Sequence, residues 1–232
     1  MRASLLLGIS LCVASLCAPG IAQNASPSGT IHTRIQGIQI PAIPNAPFTA
    51  RIVVTWDQPL AGGGTLSRKY YTMVARDSKG RVHRETRGFV SADSAAEPPL
   101  ESVTILDPAA GRRTVCRQSS MVCTRSAFHP RTVLSPNFAA GGDLKGTNLG
   151  TRTMQGIMVQ GIRKTAPAYD GSSTVQTDLW YSADLGIDLF VVRRSPASGT
   201  VTLAVKDLKR GEPNKAMFGL PAGFQVVRVR GR

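Results

Sequence analysis

The chain has 232 residues, of which 28 are Lys or Arg and 14 are Asp or Glu, so its formal net charge is +14 at pH 7. This length is enough for one domain with a substantial core, or for two small lobes that share one sheet. The strong positive charge indicates a polyanionic partner but specifies no reaction. Beyond the N-terminal region, we expect no transmembrane segment, because no apolar run approaches the roughly 20 residues that one needs.

The N-terminus has the pattern of a secretory signal peptide. Arg2 supplies a positive charge, and the apolar stretch 5–18 that follows it is too short to cross a membrane. Gly20 and Ala22 place small residues at the −3 and −1 positions of a cleavage site. We therefore predict a signal peptide at residues 1–22, cleaved after Ala22, and a periplasmic or extracellular location.

Export changes which polyanions the protein can meet. Phospholipid head groups, lipopolysaccharide phosphates, acidic polysaccharide and acidic proteins are the candidates outside the cytoplasm. We therefore expect no nucleic-acid partner.

Residues 23–47 are predicted to be an extended or disordered leader. The first eight of them are rich in Ser, Pro, Gly and Asn. The later dipeptides Ile40-Pro41 and Ile43-Pro44 exclude a long helix, because proline disfavours helical conformation in the residue before it.

From Thr49 onward, apolar residues alternate with polar ones, which is typical of half-buried strands. Ala50, Ile52, Val54 and Trp56 share one side of the first strand. The predicted strands are 49–56, 65–76, 81–89, 102–106, 113–118, 121–126, 150–155, 157–164, 174–182, 187–194 and 200–208. Short turns such as 77–80 join most of them, so the fold class is mainly β: a single curved antiparallel sheet or half-open β-barrel of about eleven strands with little helix.

The predicted organisation is a single β-rich domain at residues 48–226. Its front half, 48–127, and its back half, 149–226, are separated by the Pro-, Gly- and Ala-containing linker 128–148. A basic tail follows at 227–232. One helical turn is expected around 214–218, before Pro221.

Cys116 and Cys123 remain after signal-peptide cleavage, and an even number of cysteines in an oxidising compartment indicates a disulfide. Strands around residues 118–121 would place the two cysteines directly opposite each other. A metal site would need further ligands, and a redox pair usually has two intervening residues rather than six. We predict a structural disulfide that pins a hairpin.

The sequence contains no recognisable catalytic constellation. The three histidines, His32, His83 and His129, have neither metal-ligand spacing nor a neighbouring nucleophile motif. Most of the aspartates fall in predicted turns beside Gly, Ser or Pro, where they bond their own backbone. We therefore predict no catalytic residue, no metal site and no cofactor.

A basic hairpin is the candidate anion-binding site. Tyr70 and Tyr71 lie between its positive charges, and guanidinium groups with aromatic rings can hold phosphate or stack a ring. The alternative is a solvated outer face with Asp77 and Glu85 as neighbours. The candidate residues are Arg68, Lys69, Arg76, Arg81, Arg84 and Arg87.

Several short motifs occur in a familiar order. They include Pro47-Phe48-Thr49-Ala50, Ile105-Leu106-Asp107-Pro108, Trp180-Tyr181-Ser182, Arg210-Gly211-Glu212-Pro213 and Phe218-Gly219-Leu220-Pro221. Over residues 45–226 the chain resembles a group of uncharacterised secreted proteins typical of acidobacteria, a resemblance that implies no activity. More distantly, it resembles the periplasmic lipoprotein-carrier and envelope-stress-sensor superfamily. That resemblance implies a half-open antiparallel β-barrel whose concave face holds acyl chains, with Trp180 and Phe218 in the core.

Three functions follow from these observations. The first is a non-enzymatic binding or carrier module for a lipid or lipoprotein acyl chain. The second is a structural or interaction protein that binds an anionic envelope polymer or an acidic partner. The third is an enzyme, which would require His83 or His129 to meet Asp or Ser residues in a cleft. An apolar groove would support the first function and a flat basic face the second.

Overall fold

The computed structural model describes residues 37–129, 146–168, 171 and 173–228. The predicted signal peptide and its cleavage site, most of the predicted linker 128–148 and the last four residues of the predicted tail lie outside the described residues. In the part of the chain that the structure describes, no helix is long and apolar enough to span a membrane.

The described chain forms one sheet of thirteen strands and one short 3₁₀ helix, Lys215–Phe218. The strands are β1 (Phe48–Pro59), β2 (Thr65–Arg76), β3 (Val82–Arg87), β4 (Val90–Ser91), β5 (Leu100–Asp107), β6 (Arg112–Arg117), β7 (Val122–Ala127), β8 (Thr147–Met154), β9 (Ile157–Pro167), β10 (Thr174–Ser182), β11 (Ile187–Ser195), β12 (Gly199–Arg210) and β13 (Gln225–Arg228).

The strand order is β13-β7-β6-β5-β3-β2-β1-β12-β11-β10-β9-β8, and β4 pairs with β2 beside this path. Every pairing is antiparallel except that of β13 with β7, which is parallel. The prediction of a single curved antiparallel sheet is confirmed, with thirteen strands rather than eleven. The two additional strands, β4 and β13, are too short to produce an alternating pattern in the sequence.

The sheet curls, and the contacts of one side chain show this curvature. Gln155, at the tip of the β8–β9 hairpin, donates a hydrogen bond to the carbonyl oxygen of Val205 (2.9 Å) and accepts one from the backbone amide of Leu208 (3.2 Å). Both partners lie on β12, three places away from β9 in the sheet order. In a flat sheet that separation would be about 14 Å. The edge strands β8 and β13 do not pair, so the barrel stays open.

Alternation along β1 divides the sheet into two faces. Phe48, Ala50, Ile52 and Val54 are buried on what we call the inner face, and the residues between them are more exposed. The inner face carries the main hydrophobic cluster, drawn from six strands. Beyond β1 it includes Val74, Val82, Ile157, Val159, Ile187, Leu189, Val201, Leu203 and Val205.

The opposite, outer face carries a second, smaller cluster on β5, β6 and β7. Leu106 packs with the inner cluster, so its neighbour Ile105 points outward and joins Val103 in the second cluster. Cys116 and Cys123 belong to this second cluster, lie directly opposite each other and form a disulfide. The predicted disulfide is confirmed. Phe224 from the C-terminal segment packs against the second cluster.

The two aromatic residues expected in the core differ in position. Trp180 packs against the inner cluster, with its ring so close to Gly161 that a Cβ there would lie 2.7 Å from it. Phe218 belongs to neither cluster. Its ring lies 4.5 Å below the guanidinium of Arg81 instead, so this residue packs at the surface.

Candidate functional site

The inner face is covered at one end by residues 37–47, which we call the arm. Ile38 and Ile40 are buried in the inner cluster at 3% and 6% exposure, whereas Gln39 between them is exposed. This alternation continues the period of an extended chain, and the prolines that follow prevent a helix. The arm therefore places apolar side chains of an extended segment against the sheet.

Arg76 anchors the arm from inside the protein. Its side chain is completely buried, and its guanidinium donates hydrogen bonds to three backbone carbonyl oxygens. The acceptors are Ala46 (2.9 Å), Pro41 (3.1 Å) and Leu185 (2.7 Å). The Phe48 ring lies 5.0 Å from the guanidinium carbon. Among the described residues, no carboxylate forms an ion pair with Arg76, so carbonyl dipoles and the Phe48 ring are its closest compensating groups.

The lack of a carboxylate changes the acid–base properties of Arg76. Burial lowers its pKa to about 10, and the nearby Tyr181 opposes that change only in part. Arg84 is a second anchor, because its guanidinium donates a hydrogen bond to the carbonyl oxygen of Ile38 at 2.6 Å. Burial also lowers the pKa of Arg84, against an opposing effect of Tyr70. Two desolvated cations thus hold the backbone of the arm.

Two glycines leave room for the arm. Gly80 has a φ of +78°, and a Cβ there would lie 3.0 Å from the carbonyl carbon of Ile43. Gly186, with a φ of +67°, would place a Cβ 3.0 Å from the Ile43 side chain. Any larger residue at these turns would adopt an unfavourable backbone conformation and displace the arm.

The other end of the inner face is more open. Trp56 lies eight residues along β1 from Phe48, or about 26 Å at the rise of a strand. Tyr70 and Phe89 meet edge to face with ring centroids 4.6 Å apart, and Phe89 is 45% exposed. Arg68, the cross-strand partner of Trp56, is exposed beside them. We call Trp56, Arg68, Tyr70 and Phe89 the rim.

The structure separates the six residues of the predicted anion-binding site. Three of the six lie on the inner face. Arg84 does so because it pairs with the inner-face residue Val74. Arg68 and Arg76 do so because they lie an even number of residues from Val74 along β2. Lys69 points to the outer face, where its ammonium group donates a hydrogen bond to the carbonyl oxygen of Ala92 at 2.7 Å.

The other two members of that set are held by carboxylates. Arg81 pairs with Asp77 at 2.7 Å in the turn between β2 and β3. Arg87 lies 3.0 Å from Glu97 and stacks 5.3 Å from the ring of Tyr71 on the outer face. Anion binding by the six residues stays a prediction, and among the six Arg68 is the exposed cation on the inner face.

The histidines do not assemble a catalytic group in the described chain. The Nε2 atom of His83 lies 3.2 Å from a carboxylate oxygen of Glu85, and that hydrogen bond is the main reason why the pKa of Glu85 is lowered. His129 is exposed, and His32 lies outside the described residues. Within the described ranges, no group of three His, Cys, Asp or Glu side chains is arranged to hold a metal ion.

The arm is a part of the site that was not predicted from the sequence. The sequence pattern that indicates the arm is the pair Ile38 and Ile40, two apolar residues at strand spacing directly before a proline. The same alternation along β2 places Arg76 on the side of Val74. Period-two spacing therefore marked Arg76 as an inner-face residue.

No protein-family model and no curated protein matches the sequence. Solved structures with a similar fold include an uncharacterised conserved protein from Thermus thermophilus, with a TM-score of 0.44 and 14% identity over 79% of this chain and 90% of that one. MucB in the MucA/MucB complex of Pseudomonas aeruginosa has a TM-score of 0.41 and 13% identity over 81% of this chain and 60% of that one. This chain therefore spans about three fifths of the length of MucB.

A LolA superfamily protein from Nitrosomonas europaea is also similar, with a TM-score of 0.33 and 8% identity over 78% of this chain and 93% of that one. These structures include members of the half-barrel superfamily that the sequence motifs distantly resemble.

Proposed function

We propose that this chain is an exported, non-enzymatic binding or carrier module of the cell envelope, and that its inner face holds the acyl chain of a lipid or lipoprotein. The observation that carries the proposal is the arm. An extended segment with apolar side chains lies on the inner face, and its carbonyl oxygens are held by Arg76 and Arg84. An acyl chain would offer the inner face the same kind of extended apolar surface.

The proposal requires the arm to move, because the inner cluster is tightly buried when the arm is in place. Once the arm leaves, the sites of Ile38 and Ile40 are available to an apolar chain. The arm and the ligand thus compete for the same apolar surface.

The rim supplies the proposed entrance. Phe89 is exposed and Trp56 and Tyr70 are partly buried, so apolar surface is available at the end of the inner face away from the arm. The exposed guanidinium of Arg68 is suited to an anionic head group. No step of this function requires a catalytic group.

The test uses a fluorescent fatty acid and its methyl ester with the mature protein. We expect saturable binding of both probes, because both carry the acyl chain. Arg68→Gln should weaken binding of the acid by about tenfold and leave binding of the ester unchanged, since only the acid has the charge that Arg68 contacts. The matched control is Lys79→Gln, which removes an exposed cation from the β2–β3 turn. Absence of saturable binding for both probes would contradict the proposal.

A second candidate is an interaction protein that binds an anionic envelope polymer or an acidic partner. It is favoured by two adjacent exposed arginines at the start of β6, Arg112 and Arg113. Binding to an acidic polysaccharide would then weaken steeply with added salt, because exposed charges are screened. Salt-sensitive polymer binding together with no acyl-probe binding would favour this candidate over the carrier.

A further inference from the structure

A pocket of about 170 Å³ lies on the outer face, on the opposite side of the sheet from the arm. Its floor is formed by β5, β6 and β7, where Ile105, Thr114 and Arg125 lie side by side in one cross-strand row. Phe218 and Leu220 of the C-terminal segment form its wall.

Arg125 is the unusual member of the pocket. Its Nε atom is buried and makes no hydrogen bond, and among the described residues no carboxylate forms an ion pair with its guanidinium. A buried hydrogen-bond donor that lacks an acceptor costs free energy, and the cost is larger when the donor belongs to a charged group. The pocket that Arg125 lines is open to a ligand from solution. An oxyanion bound there would pair with the charge of this guanidinium.

The charges of the pocket favour a singly charged ligand. Arg112 lies 3.6 Å from Asp107, whose other carboxylate oxygen accepts a hydrogen bond from the Ala110 amide. Arg112 and Asp107 neutralise each other. The net charge of the pocket is therefore +1, and Arg125 supplies it. A carboxylate matches that charge and the fork of a guanidinium.

The size and the walls of the pocket limit the rest of the ligand. Its volume is below the roughly 300–1,000 Å³ of sites for drug-sized molecules. The ring of Phe218 and the side chains of Ile105 and Leu220 offer apolar contacts to a short carbon chain. From the unpaired guanidinium, the net charge and this lining, we propose that the outer-face pocket binds a monoanionic carboxylate with a short apolar portion.

The test observes the pocket by NMR. Sodium propionate and N-acetyl-valine represent a free short acid and the carboxyl end of a peptide, and each is titrated at constant ionic strength against chloride. We expect saturable shifts of the Thr114 amide and the Arg125 Nε–H resonances. Arg125→Gln should raise the dissociation constant by about tenfold or more, and Arg125→Lys by less, because it keeps the charge without the fork.

The matched control is Arg117→Gln. Arg117 is an exposed arginine on β6 that points to the inner face, since it pairs with Ser102 and Val122, and its loss should leave carboxylate binding unchanged. The preferred probe identifies the source of the carboxylate. The absence of a saturable shift with either acid would overturn the proposal. Equal losses of carboxylate affinity in Arg125→Gln and Arg117→Gln would overturn it as well. So would tighter binding of dimethyl phosphate, which has the same charge, than of either carboxylate.

Discussion

Replacing Ile38 by Ala tests whether the arm competes with a ligand for the inner face. Ile38 is almost completely buried, and Ala removes three carbon groups from the inner cluster at about 0.8 kcal/mol each, or about 2.4 kcal/mol together. If the arm leaves while the sheet stays folded, the open form becomes about 50-fold more populated. An acyl chain that binds only the open form should then bind up to about 50-fold more tightly.

The assay is a fluorescence titration with the fatty-acid probe, run beside urea denaturation of the same samples. Gln39→Ala is the matched control, because Gln39 lies on the arm but is exposed. We expect Ile38→Ala to bind the probe more tightly and to be less stable, and Gln39→Ala to change neither property. A less stable Ile38→Ala protein with unchanged or weaker binding would refute the reasoning, since the arm would then be a permanent part of the core.

Three further predictions concern stability. Arg76→Lys offers one nitrogen in place of three and should lower the free energy of unfolding by about 2–5 kcal/mol in urea denaturation; a loss below about 1 kcal/mol would contradict the anchoring role. Hydrogen bonding to Arg163 lowers the pKa of Asp178 below its ordinary 3.8, so the stability from this pair is present above that pH and is lost as the pH falls through the folded pKa. Unfolding free energies of Asp178→Asn and wild type should therefore converge on acidification, and a constant difference would count against this assignment. Gly161→Ala should cost about 1–3 kcal/mol because its Cβ would meet the Trp180 ring, whereas Gly62→Ala meets no atom within 4 Å and should be close to neutral in the same thermal unfolding experiment.

The strands could be predicted because alternation is a local property of the chain. The strand at 174–182 has the predicted bounds, and Ile187–Ser195 differs by one residue. The disulfide was also predictable, because a four-residue turn between two strands places Cys116 opposite Cys123. Both features depend only on residues that are close together in the sequence.

The curl of the sheet and the role of the arm could not be predicted in this way. The bonds from Gln155 to β12 join residues about fifty positions apart, and the bond from Arg76 to Leu185 spans 109. Such contacts depend on which strands become neighbours, and alternation does not contain that information. The basic hairpin illustrates the consequence: neighbours in sequence such as Arg68 and Lys69 point to opposite faces, so a cluster of charges in the sequence became two separate sets in space.

Native mass spectrometry with lipid extraction, on mature protein purified from its own envelope, tests the central claim most directly. The account predicts a co-purifying acyl-chain ligand, present at higher occupancy in Ile38→Ala than in Gln39→Ala. Ligand-free protein in all three forms, with no uptake of added fatty acid, would contradict it.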